Sequence, residues 1–300
     1  MNNFVFGLLV VVSLAVLLYM YYLVFFPEKL RLLQDELWYS SYFKYRNRWE
    51  PYMEQNKLSH IPNPKPVSLC FITLETRGER DEYVKLHNRS FQQYVDYHNK
   101  LGKTRYAYKF FETCCADAIP HRHNVYWCKL FCLRETLEKG EYDYVVWVDS
   151  DTIIRNREID FGEVLQRYDS DWFGSLDAHK DILKVLKIQH PSINAGVLAV
   201  RNSEMGKKIL GAITDVYNEP VFKLKCVSDK NELKGAWSGL CYEQGMMNWM
   251  LHSQFSKHIT VLPSKYIYHG NSCEDQGQFI IHLFQNSSES RAKCFSKFVD

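Results

Sequence analysis

The sequence predicts an α/β domain, with helices on both faces of a largely parallel sheet, behind an N-terminal transmembrane helix. Three observations carry the prediction. Short apolar runs alternate with segments of helical periodicity, the pattern of strand–helix–strand units whose buried strands read as continuous apolar stretches. A chain of 300 residues that is 46% hydrophobic and 24% charged is long enough to bury a large core. Residues 4–26 carry no charged side chain, and as a helix they extend about 34 Å, enough to cross a bilayer core.

The apolar N-terminal segment reads as an anchor rather than a cleaved signal. A signal's apolar region is roughly 7–15 residues long and ends in small residues, whereas Tyr19, Met20, Tyr21, Tyr22 and Phe25 occupy this end. Met1-Asn2-Asn3 has no side-chain charge, while Lys29, Arg31, Lys44, Arg46 and Arg48 follow the segment, so charge counting favours a cytoplasmic C-terminal body. Residues 1–27 are thus the anchor with its short tail, and residues 28–66 a stem. The stem closes in Ile61-Pro62-Asn63-Pro64-Lys65-Pro66, whose prolines forbid regular hydrogen-bonded structure. Residues 67–300 form the domain. Its pattern gives a strand at 67–74, an amphipathic helix at 80–101, a strand at 106–111, a helix at 124–138 stopped by Gly140, and a strand at 144–148. Short strands follow at 172–175 and 196–200, then a helix at 204–217, an irregular polar excursion at 222–238 and a helix at 244–252. Strands at 259–262 and 278–283 complete the order.

Composition excludes some functions. With 37 basic and 35 acidic residues, a net charge of +2 and no long run of either sign, the chain lacks the electrostatic footprint of a nucleic-acid binder. Its 20 Tyr, 18 Phe and 7 Trp mostly fill a core, yet rings with an apolar face and a polar edge also suit sugar and nucleobase pockets. Nine cysteines are an odd count without zinc-type CxxC pairs. Cys128 and Cys132 read as packed thiols on a helix, whereas Cys226 and Cys241 flank a loop and can pair in an oxidising compartment. Asn88-Arg89-Ser90 and Asn286-Ser287-Ser288 are glycosylation sequons of the kind that also arise by chance.

The sharpest chemical feature is Asp149-Ser150-Asp151, placed at the carboxyl end of the apolar run 144–148, where a parallel sheet presents ligands. Two carboxylates there need cationic company, and oxygen ligands favour Mg²⁺ or Mn²⁺. Such a cation neutralises a diphosphate leaving group. A solvated turn at a strand end is the plain alternative. His121 and His123 before a helix form a solvated turn on this reading, His179, His190 and His269 are hydrogen-bonded surface residues near the cleft, and Lys180, Lys184 and Lys187 line a solvated helix face.

Residues 142–154, centred on Asp149-Ser150-Asp151, resemble the metal-binding aspartate motif of GT-A glycosyltransferases. They look most like the retaining galactosyl- and xylosyltransferase family that includes yeast α-mannan-chain and plant galactomannan and xyloglucan enzymes. The family's Asn-Ala-Gly strand ending in Arg-Asn is matched by Asn194-Ala195-Gly196 and Arg201-Asn202, its acidic-Gln pair opening a helix by Glu243-Gln244, and its strand ending in His by Ile280-Ile281-His282. The four motifs stand in the right order over residues 67–290.

The resemblance implies a GT-A nucleotide-diphospho-sugar transferase fold, a Rossmann-like mixed sheet with helices on both faces. It implies transfer of a hexose or pentose from a nucleotide sugar, UDP-galactose or UDP-xylose foremost, to an oligosaccharide, glycoprotein or glycolipid, with Mn²⁺ or Mg²⁺ and with retention of configuration at the anomeric carbon. It makes Asp149, Asp151 and His282 the metal ligands, with Asp149 also reaching the nucleotide. Lys129, in a Trp127-Cys128-Lys129 match to the family's Trp-x-Lys, contacts the diphosphate. Thr73, Glu75 and Arg77 grip the nucleoside, and Asn194 and Gly196 line the donor-sugar and acceptor pocket. Gln244 lies against the reacting sugar with Glu243 orienting it. By the same analogy the body faces the lumen of the Golgi or another secretory membrane, against the charge count. Two departures stand out: Gln285 where the family has a glycine, and Glu243 where it usually has Asp. The rivals are a haloacid-dehalogenase-like phosphatase, which lacks its second acidic cluster here, and an inactive membrane-tethered glycan-binding protein of the same fold.

Overall fold

The computed structural model describes residues 65–114, 125–177, 193–229, 232–235, 239–270, 273, 278–284 and 286–299. The anchor at 4–26, the stem, His121, His123, His179, His190, the lysines at 180–187 and Gln285 lie outside the described residues. Among the described residues no helix is long and apolar enough to cross a membrane.

Nine strands are described: β1 (Ser68–Leu74), β2 (Arg105–Phe111), β3 (Tyr144–Val148), β4 (Thr152–Ile154), β5 (Trp172–Leu176), β6 (Ile193–Arg201), β7 (Ile259–Val261), β8 (Ile267–His269) and β9 (Ile280–His282). Six of them form a sheet in the order β2-β1-β3-β6-β5-β7. β1 and β3 are buried along nearly their whole length, as expected of central strands covered on both faces. β1 pairs parallel with both β2 and β3. The sheet is mixed, as the family resemblance implies and strand–helix alternation alone does not, because β6 runs antiparallel to β3 and to β5. β6 is also longer than the run expected at 196–200, since Ile193 and Asn194 continue its ladder beside β5.

Seven α-helices are found among the described residues: α1 (Glu82–Leu101), α2 (Val125–Glu138), α3 (Phe161–Gln166), α4 (Glu204–Asn218), α5 (Pro220–Cys226), α6 (Glu243–Gln254) and α7 (Ser288–Phe295). α1 ends at Gly102, which takes the left-handed conformation (φ 71°) and donates to the His98 carbonyl. Gly140 (φ 71°) stops α2 as its sequence position predicts. α5 replaces the start of the excursion expected at 222–238. Pro220 at its first turn supplies a helix start that the polar composition concealed.

The second sheet, β4-β9-β8, positions the site. β4 pairs antiparallel with β9, setting Thr152 opposite His282, and β8 pairs parallel with β9, setting His269 opposite His282. The core beneath both sheets is aromatic. Phe71 of β1 meets Phe91 edge-on at 5.2 Å and stacks with Tyr106 at 6.0 Å.

Disulfides correct the cysteine reading. Cys128 is bonded to Cys114, Cys132 is also disulfide-bonded, and a bridge joins Cys273 to Cys294. Helical spacing kept Cys128 and Cys132 on one face but could not reveal that Cys128 pairs with Cys114, ahead of the helix. Cys226 and Cys241 pair as anticipated. Cys70 is free and buried, and burial pushes its thiol up to about 12.

Candidate active site

The chain leaves β3 at Asp149 and turns straight into β4, so both aspartates sit at the junction of the two sheets. The Asp149 amide donates to the Gly196 carbonyl (2.8 Å), and the Leu283 amide donates to the Asp151 carbonyl (2.9 Å). These main-chain ties bring β3, β6 and β9 together. One ligand atom each from Asp149, Asp151 and His282 lies within 4.8 Å of the others. His282 Nε2 is 3.1 Å from Asp151 Oδ1 and 3.9 Å from Asp149 Oδ2.

The remaining carboxylate oxygens are held by cations and an indole. Asp149 Oδ1 accepts from Trp147 Nε1 (2.6 Å) and from Lys129 Nζ (3.0 Å). Asp151 Oδ2 accepts from Arg291 (2.9 Å), whose Nε also donates to the Leu283 carbonyl (2.9 Å). Asp151 is thereby pinned through Oδ2 and turns Oδ1 toward His282, while Asp149 Oδ2, also 3.4 Å from Lys129 Nζ, lies on the His282 side. Two hard oxygens and an imidazole nitrogen, so gathered, fit Mn²⁺ or Mg²⁺. The charges respond to this crowding. Burial pushes the Asp151 carboxyl up, but His282 and then Arg291 outweigh it and hold the group at about 2. Burial opposes the charge of His282, yet Asp151 raises its imidazole above the usual value.

A cavity of about 350 Å³ opens beside this triad, lined by residues from the ends of β1 and β3 and from α2 and α7. Glu75, Arg77 and Lys129 are on its wall, as are Asp149 and Asp151. Glu75 is held by Arg77 (2.7 and 2.8 Å) and by the Ser150 hydroxyl (2.9 Å). Burial raises this carboxyl, and the bonds from Arg77 and Ser150 bring it below its ordinary value. Arg77, with its side chain 58% exposed, also donates to Tyr83 (2.7 Å).

Lys129 is buried, with its ammonium 3.0 Å from Asp149, 3.3 Å from Glu243 and 3.2 Å from the Ala195 carbonyl. Burial lowers its pKa, but Asp149 and then Glu243 keep it above the usual lysine value. Glu243 is raised, chiefly by burial, with Lys129 opposing and Asp149 reinforcing.

The other predicted residues build the frame behind this wall. Thr73 is buried and donates to the Val148 carbonyl, joining β1 to β3. Asn194 Oδ1 accepts from the Gly196 amide (2.7 Å). Gly196 backs the histidine, since a Cβ there would land on the His282 ring. Gln244 accepts from the Ala195 amide (3.0 Å) and donates to Asp177 (2.9 Å), so it braces β6 against the end of β5.

Sequence reasoning passed over Arg291, Trp147 and Ser150. Trp147 and Ser150 flank Asp149 and were signalled only by adjacency. Arg291, on a short polar helix 140 residues from Asp151, carries no local signal. His269 is buried and hydrogen-bonded to His282 (2.8 Å), not a surface residue. Burial and then His282 keep its pKa well below the usual histidine value.

Residues 63–292 match the sequence profile of the galactosyl transferase GMA12/MNN10 family. An α-1,2-galactosyltransferase of Schizosaccharomyces pombe is 26% identical over 236 residues, covering 69% of this chain and 56% of that protein. An uncharacterised α-1,2-galactosyltransferase of the same organism is 24% identical over 157 residues, covering 44% of this chain and 38% of its own length. The chain thus spans about half the length, or less, of these relatives. Among solved structures, a glycosyltransferase involved in the glycosylation of the major capsid of PBCV-1 superposes with a TM-score of 0.54 at 13% identity, over 77% of this chain and 99% of that one. That likeness is one of fold.

Proposed function

We propose, on the premise that this chain belongs to the galactosyl transferase GMA12/MNN10 family, that it transfers a hexose or pentose from a nucleotide diphosphate sugar to a glycan acceptor. The observation that carries the reading is the convergence of Asp149, Asp151 and His282 within 4.8 Å beside a cavity at the strand ends. The names of the two yeast relatives favour galactose, hence UDP-galactose as donor.

A divalent cation held by Asp149, Asp151 and His282 would supply positive charge to a leaving diphosphate. The chain's own cations do related work. Arg77 and Arg291 line the cavity as donors to an anionic ligand, and Arg291 meanwhile holds Asp151 in place. Lys129 places its buried ammonium between the Asp149 and Glu243 carboxylates, 3.0 and 3.3 Å away. Electrostatic stabilisation of departing charge is then the main catalytic contribution. Glu243 is engaged with Lys129, which argues against its use as a covalent nucleophile and for attack by the acceptor on the same face of the sugar, with configuration retained.

The disulfides favour a lumenal body over the cytoplasmic one that charge counting suggests, since such bonds persist in oxidising compartments. We place the domain on the lumenal side of a secretory membrane, anchored through residues 4–26.

The test is release of nucleoside diphosphate by the full chain from UDP-galactose, UDP-xylose and GDP-mannose, with Mn²⁺ or with chelator. Metal-dependent release from one donor, with the anomeric configuration of the product read by NMR, supports the proposal and names the sugar. No release from any donor, and no metal-dependent thermal shift by UDP or GDP, leaves the inactive glycan-binding reading in its place.

A further inference from the structure

Two buried residues extend the metal triad inward. The parallel register of β8 and β9 makes His269 the cross-strand partner of His282. Their Nδ1 atoms stand 2.8 Å apart, with the rings near perpendicular at 80°. On its other side, His269 Nε2 is hydrogen-bonded to Ser175 Oγ of β5. Ser175 is 1% exposed and the two histidines 4% each, so bulk water does not serve any of these groups.

The chemistry restricts how protons can be arranged along this chain. A neutral imidazole that offers its Nε2 lone pair to a cation carries its one proton on Nδ1. That N–H needs an acceptor, and metal-bound histidines ordinarily find a carboxylate, a carbonyl or a water. Here the partner is a second imidazole. His269 accepts through Nδ1 only with its own proton on Nε2, and that proton is then donated to Ser175 Oγ. The reverse relay would put the His282 proton on Nε2, facing Asp151 at 3.1 Å; this arrangement is the one that leaves His282 Nε2 bare toward Asp149 and Asp151 while its Nδ1 and both nitrogens of His269 keep partners. Gly196 closes the other side of the ring, so the imidazole cannot swing away from β8 without meeting β6.

We infer that Ser175 and His269 are positioning residues that fix His282 in its Nδ1–H tautomer and aim its Nε2 at the metal site. The inference rests on the reading of His282 as a metal ligand. It gives His269 no contact with either substrate.

The experiment measures Mn²⁺ affinity of the full chain without any sugar donor, through the EPR signal of free Mn²⁺, with melting of the metal-free protein recorded beside it. His269→Phe keeps a flat ring and removes both nitrogens. His269→Asn puts a carbonyl oxygen near the place of Nδ1. The expected results are a loss of affinity of about tenfold or more for His269→Phe, recovery to within about threefold of wild type for His269→Asn, and an intermediate loss for Ser175→Ala. Asn rescue distinguishes an acceptor from a space-filler. Wild-type affinity in His269→Phe, or equal losses in the Phe and Asn variants, overturns the relay and leaves the metal site standing. If His269→Phe does not fold, the other two variants decide: the relay stands if Ser175→Ala weakens Mn²⁺ more than His269→Asn does, and falls if it does not. A wild-type chain that binds no Mn²⁺ overturns both readings.

Discussion

Two groups of part-buried carboxylates, beyond opposite ends of the central strands, show how a structural acid differs from the candidate site acids. Beyond the amino ends of β1 and β2, Asp160 caps α3 and is closed by neutral donors. Its Oδ1 accepts from Tyr106 (2.6 Å), from the Glu163 amide (3.1 Å) and from Thr104 (3.1 Å), and Thr104 also reaches Oδ2 (3.0 Å). Beyond the carboxyl end of β3, Asp149 and Asp151 are held by the cations Lys129 and Arg291, and each has an oxygen on the His282 side. Partial burial is common to both groups, and each has a histidine nearby, so neither feature separates them. What separates them is the pairing of two carboxylates with one histidine and the strong cations that hold both acids.

The largest test of this contrast is Asp151→Asn. It should lower nucleoside diphosphate release by about a hundredfold or more, because it removes a ligand and a charge from the site. Asp160→Asn should leave kcat within about twofold. Comparable losses from the two changes, in initial rates on folded protein, would erase the distinction.

Gly196→Ala sharpens it from the other side. The added methyl would occupy the place of the His282 ring, so we expect a loss of about tenfold in Mn²⁺ affinity while both aspartates remain in place. An unchanged Mn²⁺-dependent thermal shift would show that the ring's position is not what matters.

A third buried group ties α1 to the turn after Asp151. His87 Nδ1 donates to the Thr152 carbonyl (2.7 Å), and its Nε2 has no partner. Burial pulls its pKa down to about 4, with the Thr152 bond and the charges of Asp151 and Glu75 opposing. The unfolded chain takes up this proton near pH 6.5, so between about pH 6.5 and 4 the unfolded state binds more protons than the folded one. Stability from this group is therefore whole above pH 6.5 and falls as pH drops toward 4, by about 3 kcal/mol at most. Urea midpoints across that range should show the fall, and a His87→Gln variant should show a flatter profile.

The smallest effect belongs to the structural acid. Asp160→Ala removes a helix cap and leaves Tyr106 and Thr104 short of an acceptor, at a cost of about 2 kcal/mol in urea unfolding. Its kcat should not change.

Most of the first half of the domain was legible in the sequence because its elements are local. Apolar runs fix β1 and β3, and Gly102 and Gly140 end their helices where the pattern stops. The aspartates were legible for the same reason, standing directly after a strand. Short elements were not. β4, β8 and α3 have too few residues to show a period, and α7 has a polar surface with no apolar stripe. The direction of β6 escaped because periodicity is blind to strand polarity. The site was legible where motifs carry it, at Asp149, Asp151 and His282. It was not legible where long-range pairing makes it, as in His269 beside His282 or Arg291 on Asp151. Gln244 and Asn194 were found as site residues, and the structure gives them a bracing position behind the wall.

The distance along the chain between Asp151 and its partners has a consequence for biosynthesis. The aspartates leave the ribosome early, but Arg291 follows Asp151 by 140 residues. At typical elongation rates of about 5–20 residues per second, the nascent chain carries two closely spaced acids for several seconds with neither the arginine nor the histidine that will hold them. Three-residue strands β4 and β9 then have to find each other across that gap, at a loop-closure cost that only the finished chain can offset. A message truncated before codon 282 can still encode the central strands of the main sheet, but its product lacks both His282 and Arg291. Translation through Arg291 is what completes the centre.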